Sequence, residues 1–534
     1  MPQVFVRHHF RGGWSTDFGP QIDIAPTVTL TGGAGDDLVA AMELPFLETA
    51  ENCIFELDGG PHKAPGTARL NSSALASGAD VMGVFDAWFS GTLGTPTQRR
   101  IVHVGTVIMR DDGAGSFTNL FTGLEAGKVP SYAMLEDLLV MCSDSTIDVP
   151  RSWDGTTAQN LAGGPPRVGF VTVHQGHMFG AGDWAQPSRL YYVTAANLGV
   201  AGWSNIDIDP DDGDRITGII SWHNELWVFK GPYRGSIHRI TGTSSANFAR
   251  QTFIKGVGAV AHNAIFEFGP DVGFLWSDGS IRSLIATDKY GDADPAVLSG
   301  QISTWIKDHV TFSALSTASV GRSDLGGYAL IALPIDAAML PNTVLMMDYR
   351  FNPVRWSHWS SFSSIICLAS GVDSAASNRR IVMAGATDGF VLRMEQATRS
   401  INTSTAISFN VRTPVMTYGS PHLSKTVAHG AVGFQPKNNG NVSVTLTTDE
   451  GTDETFIISQ DGGSAVLGGV TGFILGTDRL GGARFADEFF AIEDGIGQFR
   501  SIQIAAADGV NNQDCEIHVL SLDVNLPGVP NWEN

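Results

Sequence analysis

Trp222-His223-Asn224-Glu225-Leu226-Trp227-Val228-Phe229 is the stretch on which the reading of the fold turns. An apolar strand runs into a polar turn, and a second apolar strand leaves it. The same figure recurs at Leu135-Glu136-Asp137-Leu138-Leu139-Val140 and at Val173-His174-Gln175-Gly176-His177-Met178-Phe179. Weaker copies centre near Arg100, Val272, Gly326 and Arg380, at steps of about 37 to 54 residues. A small sheet of short strands cannot cover both its faces, so repeats of this kind must stack on one another. The pattern predicts an all-β chain with a β-propeller of about six or seven blades.

Around this core the chain divides into three parts. Residues 1–65 read as an extended arm with loops, punctuated by Pro2, Pro20, Pro26, Pro45, Pro61 and Pro65. Residues 66–400 hold the propeller. Several of its repeats end in Asp-Gly, at Asp154-Gly155, Asp278-Gly279 and Asp388-Gly389, a pair that closes hairpins. Arg99-Arg100-Ile101-Val102 and Arg379-Arg380-Ile381-Val382 are nearly literal copies in the first and last repeats. One short helix, with Ile302, Trp305 and Ile306 on one face, interrupts the strands. Residues 401–534 alternate apolar and polar positions at Val442–Thr447 and Ser501–Ile504 and read as a β-sandwich-like domain.

Composition narrows the function. Asp and Glu number 54 against 33 Lys and Arg, a net charge of −21, so the chain is not built to coat a phosphate backbone. Charged residues are only 16% of the total and Gly numbers 62, which suits a packed, turn-rich β protein. Cys53, Cys142, Cys367 and Cys515 lie far apart, with no C-x-x-C pair, and read as buried reduced thiols. No P-loop, G-x-S-x-G elbow, H-E-x-x-H or strand-to-helix G-x-G-x-x-G is present, so neither an enzyme nor a cofactor is expected. The N-terminus lacks the apolar run of a signal peptide, and no stretch has the length of a membrane span, so no membrane insertion is expected.

The densest charge cluster is Asp207-Ile208-Asp209-Pro210-Asp211-Asp212-Gly213-Asp214. Five carboxylates could hold a hard cation, but the spacing departs from an EF-hand: Asp212 stands where the invariant Gly belongs, and no closing Glu follows. A solvated acidic loop between blades is the expectation, and no metal. His174 and His177 flank a turn and do not share a face as they would on a helix. Trp222, Trp227, Trp276, Trp356 and Trp359 lie within apolar strands and are assigned to the core.

The run Gly213-Asp214-Arg215-Ile216-Thr217-Gly218-Ile219-Ile220-Ser221-Trp222, with Leu226–Lys230 and Ser236–Gly242 after it, is distinctive. It resembles the central blade of phage β-propeller tail proteins, most of all the tail nozzle, or tail hub, of short-tailed phages, the packaged-DNA stabilisation type. Gly256–Ala259, Val272–Trp276, Ile302–Ile306, Gly327–Pro334, Val344–Tyr349 and Trp356 follow in that family's order. The resemblance covers about residues 130–400. It implies a structural virion protein in the tail, assembled in the host cytoplasm as a homo-hexameric ring. Such a ring lies below the portal and adaptor, carries fibres or spikes, and conducts viral DNA without sequence-specific binding. Asp207, Asp209, Asp211, Asp212 and Asp214 are then candidates for facing the channel or a neighbouring subunit. The alternative is a carbohydrate-binding or glycan-cleaving propeller that recognises a host surface.

Overall fold

The computed structural model describes residues 4–10, 39–44, 47–57, 60–90, 96–113, 115–200, 202–286, 297–324, 326–373, 379–402, 404–417, 424–434, 441–449, 451, 453–459, 486–517 and 519–525. The chain forms two compact units.

Thr67–Val354 and Phe362–Glu395 make up the first unit, a propeller of seven blades. Blade 1 has strands Val81–Phe89, Thr97–Val104, Val107–Gly113 and Ser116–Phe121, counted from the inside out. Blade 2 has Pro130–Leu135, Leu138–Ser143, Arg151–Trp153 and Ala158–Asn160, and blade 3 Phe170–His174, His177–Ala181, Arg189–Thr194 and Ser204–Asp207. Blade 4 has Arg215–Trp222, Glu225–Gly231, Ser236–Thr241 and Ala249–Lys255. Blade 5 (Ile265–Phe268, Asp271–Leu275, Ile281–Ser283) and blade 6 (Ser319–Ser323, Tyr328–Leu333, Thr343–Asp348) contribute three strands each to this unit. Blade 7 joins Ile365–Asp373, Arg379–Ala386 and Val391–Gln396 to the early strand Gly66–Arg69. The seven innermost strands pack in order, and that of blade 7 returns to that of blade 1, so the ring is closed.

The core lies between blades rather than within them. Phe89, Ile101, Leu139, Met141 and Trp153 fill the space between blades 1 and 2. Phe179, Leu190, Ile219 and Val228 join blades 3 and 4, and Val84, Val102, Ile381 and Met383 join blades 1 and 7. A middle strand therefore has apolar neighbours on both faces. Tyr328–Leu333 and Thr343–Asp348 are buried along their whole length, and a run such as Ala329-Leu330-Ile331-Ala332-Leu333 loses the alternation of a half-solvated strand. Each such Leu, Ile or Val contributes about 1.5–3 kcal/mol over an exposed position.

The polar turns of the repeat have a backbone cause. Glu136 and Asp137 take φ of 47° and 63°, Gln175 and Gly176 48° and 68°, and His223 and Asn224 50° and 60°. Two successive positive φ angles define the mirror-image turn whose twist matches a hairpin, and polar or glycine residues tolerate them best. Gly326 also lies between paired strands, in blade 6. Arg100, Val272 and Arg380 do not turn the chain: each lies in a second strand. Arg100 is polar because it meets Asp86, at 2.8 Å from Nε to Oδ1. The Asp-Gly pairs do close connections between neighbouring strands; Asp154 Oδ1 accepts from the Thr156 and Thr157 amides, and Asp278 Oδ1 from Ser280. The expected helix is a 3-10 turn, Gly300–Ile302, running into α-helix Ser303–His309, with Ile302 and Ile306 buried.

The second unit comprises Met1–Gly66, Arg355–Ser361 and Gln396–Asn534. The described residues of 1–65 are thus not a separate arm, with Pro2, Pro20, Pro26 and Pro45 lying outside the described residues, and the C-terminal domain is not 401–534 alone. Strand pairing is the reason: Val4–Phe10 pairs antiparallel with Val519–Asn525, and Thr49–Glu51 with Phe409–Arg412. One sheet runs Val39–Leu44, Val4–Phe10, Val519–Asn525, Lys425–Phe434, Ala486–Phe499. The other runs Arg355–Trp359, Thr49–Glu51, Phe409–Arg412, Ile502–Asp508, Asn441–Thr448, Asp453–Ser459. Ile502–Asp508 alternates buried and half-buried positions strictly, as the sequence implies.

Candidate functional site

The acidic loop joins the outermost strand of blade 3 to the innermost strand of blade 4, so its carboxylates are spread from rim to axis. Asp207, at the rim, meets Arg189 of its own blade at 2.8 Å. Asp209, with φ of 41°, meets Arg250 and also Lys255 at 3.4 Å, both on the outermost strand of blade 4. Burial alone would raise the Asp209 carboxyl, yet Arg250, His238 and Lys255 together hold it below its usual value. Asp211 is exposed and takes no ion pair among the described residues. Asp214, at the axis, is buried and accepts the Tyr233, Arg234 and Gly235 amides at 2.9, 2.8 and 2.7 Å.

The centre of this loop encloses a cation that belongs to the chain. Lys230 of blade 4 is 0% exposed. Its three N–H groups are shared among four acceptors, the Ile208 and Asp209 carbonyls at 2.8 Å each, Asp212 Oδ1 at 2.7 Å and Ser188 Oγ at 3.1 Å. Two carbonyls, a carboxylate and a hydroxyl around one positive charge resemble a hard-cation site. Here the ammonium fills it and satisfies acceptors that burial would otherwise leave unpaired. The loop therefore does not present five free carboxylates: four are engaged, and Asp212 and Asp214 hold its fold.

Beside the Asp214 end the ring opens into a cavity of about 860 Å³. Its wall is made by the chain entering the first strands of blades 2 to 6 and by the loops after the second strands of blades 2 to 5. These segments reach the same end of the ring, since each blade strand reverses direction. Trp184, Tyr233 and Phe312 stand there 52%, 82% and 42% exposed. Trp184 is fixed: Asp144 Oδ1 accepts its indole Nε1 at 3.1 Å and Arg215 Nη2 at 2.9 Å, and the Arg215 guanidinium lies 4.0 Å from the Trp184 ring centroid. His262 is stacked on Phe170 with centroids 4.8 Å apart, and burial pushes its imidazole down to about 4, so it is neutral at pH 7.

The remaining candidates are structural. His174 and His177 are direct cross-strand partners, so, against the sequence expectation, they do share a face of their hairpin; His174 Nδ1 meets Ser221 Oγ of blade 4 at 2.8 Å, and His177 Nδ1 meets the Gln175 carbonyl of its own turn at 2.8 Å. In the second unit Glu56, His62 and Glu516 place ligand-type atoms within 4.8 Å of one another. Both His62 nitrogens are already engaged, Nδ1 with Glu56 at 2.7 Å and Nε2 with Asp514 at 2.7 Å, which makes this a hydrogen-bonded cluster. All four cysteines are buried and unpaired, and burial pushes Cys53 and Cys367 up to about 12. Trp227, Trp276, Trp356 and Trp359 are buried, as their strands suggested, whereas Trp222 is half-buried.

Sequence reading passed over the aromatic mouth. A signal was there: Trp184 stands three residues past the second strand of blade 3, and Tyr233 two residues past that of blade 4. No family model and no curated protein matches the chain. Among solved structures it is similar to YCF48 bound to D1 peptide, at 10% identity and TM-score 0.37, over 64% of this chain and 97% of that one. It is also similar to the extracellular domain of a hybrid two-component system of B. thetaiotaomicron, at 11% identity and TM-score 0.40, over 73% of this chain and 44% of that one.

Proposed function

We propose that this chain is a tail nozzle or hub protein of a short-tailed phage. It assembles as a ring below the portal and adaptor, conducts the DNA and carries fibres or spikes. One observation supports the reading: apart from Trp356, which lies in the second unit, the sequence blocks that resemble that family fall on intact pieces of one propeller. Gly213–Gly242 spans the entry to blade 4 and its first three strands, Ile302–Ile306 lies in the helical link between blades 5 and 6, and Gly327–Tyr349 spans the second and third strands of blade 6. The net charge of −21 per copy suits a conduit that repels the duplex instead of gripping it. Negative-stain imaging with mass measurement of the purified chain tests the proposal. A closed ring of copies around an axial pore supports it, and a protein that stays monomeric at micromolar concentration sinks it.

A further inference from the structure

We propose that the mouth of the propeller ring is a binding site for a neutral saccharide, a role that does not depend on ring assembly. The cavity, about 860 Å³, falls within the roughly 300–1,000 Å³ typical of small-molecule sites. Its exposed aromatics come from three separate segments: Trp184 after a strand of blade 3, Tyr233 after one of blade 4, and Phe312 from the link before blade 6. Large aromatic faces left open to water at the rim of one concavity mark a contact surface. Flat apolar faces beside hydroxyl-binding groups suit a sugar ring, which offers C–H bonds on its faces and hydroxyls at its edge.

The hydroxyl-binding groups are present and partly unused. Asp144 spends Oδ1 on Trp184 and Arg215, and its Oδ2 takes no hydrogen bond among the described residues. Asn263 spends Nδ2 on the Pro130 carbonyl at 3.1 Å, and among the described residues its Oδ1 takes none. Both residues line the cavity, and each is held through its other polar atom, which is the preorganisation a weak polyol ligand needs. The charge argues for a neutral ligand. The Arg215 guanidinium is committed to Asp144 and stacked on Trp184, Lys128 pairs with Glu125 at 3.3 Å, and His262 is half-buried and uncharged at neutral pH. No uncommitted cation lines the cavity among the described residues, so an anionic sugar or a phosphate would find no partner there.

Titration calorimetry and saturation-transfer NMR on the full chain test this, with maltotriose, cellotriose, chitotriose and a sulfated disaccharide as probes. At least one neutral trisaccharide is expected to bind saturably. Tyr233→Ala, at a side chain 82% exposed, is expected to leave the fold intact and weaken that binding about tenfold or more. Trp184→Ala is expected to do the same. Failure of all three neutral probes, unchanged binding in both variants, or binding of the sulfated probe alone overturns the proposal. Particle images of the same samples report ring formation separately, so failure of the saccharide site and failure of the nozzle reading are distinguishable.

Discussion

Replacing Lys230 with Met keeps the aliphatic stem and removes only the ammonium. The acidic loop then loses its centre. Asp212, the Ile208 and Asp209 carbonyls and Ser188 all lose a donor at 2.7–3.1 Å. Breaking a buried ion pair by removing one partner costs about 3–5 kcal/mol. Asp212 keeps 23% of its side-chain surface and can recover some solvation, which places the cost near the lower end, about 3 kcal/mol. The propeller unit holds roughly 320 residues, for which the unfolding entropy is about 0.7 kcal/mol per kelvin. Lys230→Met should therefore lower its melting temperature by about 4–5 °C in calorimetry. Lys230→Met combined with Asp212→Asn should recover part of the loss, because the uncompensated charge is gone. A single variant that melts with the wild type would refute the claim that the loop is organised around this ammonium.

Acid should weaken the propeller between pH 6.5 and 4. Burial holds His103, His238 and His262 at about 4, against 6.5 in the unfolded chain, so across that window only the unfolded state takes up their protons and stability falls as pH falls. Each should contribute about 1–3 kcal/mol over the window, and His103→Leu should flatten the dependence of melting temperature on pH. Asp214→Ala should cost about 2–3 kcal/mol and speed amide exchange at Tyr233–Gly235, whereas Asp211→Ala should change stability by no more than about 0.5 kcal/mol, both read by denaturation and hydrogen exchange. Gly258→Ala should yield little folded protein on expression and gel filtration, because a Cβ there would lie 1.9 Å from the Lys230 carbonyl oxygen, a backbone atom.

The propeller was legible because its strongest signals are local. The turns at Glu136-Asp137, Gln175-Gly176 and His223-Asn224 announce themselves by polar residues between apolar runs, and the backbone demands those residues. Arg100 and Arg380 misled for a related reason: a polar break in a strand looks the same whether the chain turns or a carboxylate waits elsewhere, Asp86 on the paired strand for Arg100 and Asp324 in a turn of blade 6 for Arg380. The companionship of Val4–Phe10 with Val519–Asn525 was not legible, since nothing local in either strand names a partner more than 500 residues away. The acidic loop was read as solvated because its counter-charges, Arg189, Lys230, Arg250 and Lys255, are scattered along two blades. Only the folded ring brings them to Asp207–Asp214.

The seventh blade has a bearing on the order of folding. Its outer strand, Gly66–Arg69, precedes all the other blades in the chain, and the rest of it follows them. During synthesis blades 1 to 6 emerge as an open arc with bare apolar flanks, and the early strand must wait until Val391–Gln396 has left the ribosome. Joining segments about 320 residues apart costs about 5 kcal/mol of chain entropy before any contact repays it. Closure is therefore the late, slow event, and a chain stalled before it exposes an unpaired strand edge and two uncovered sheet faces. The same clasp then keeps the finished ring from fraying, because no blade can peel away without both ends of the propeller letting go.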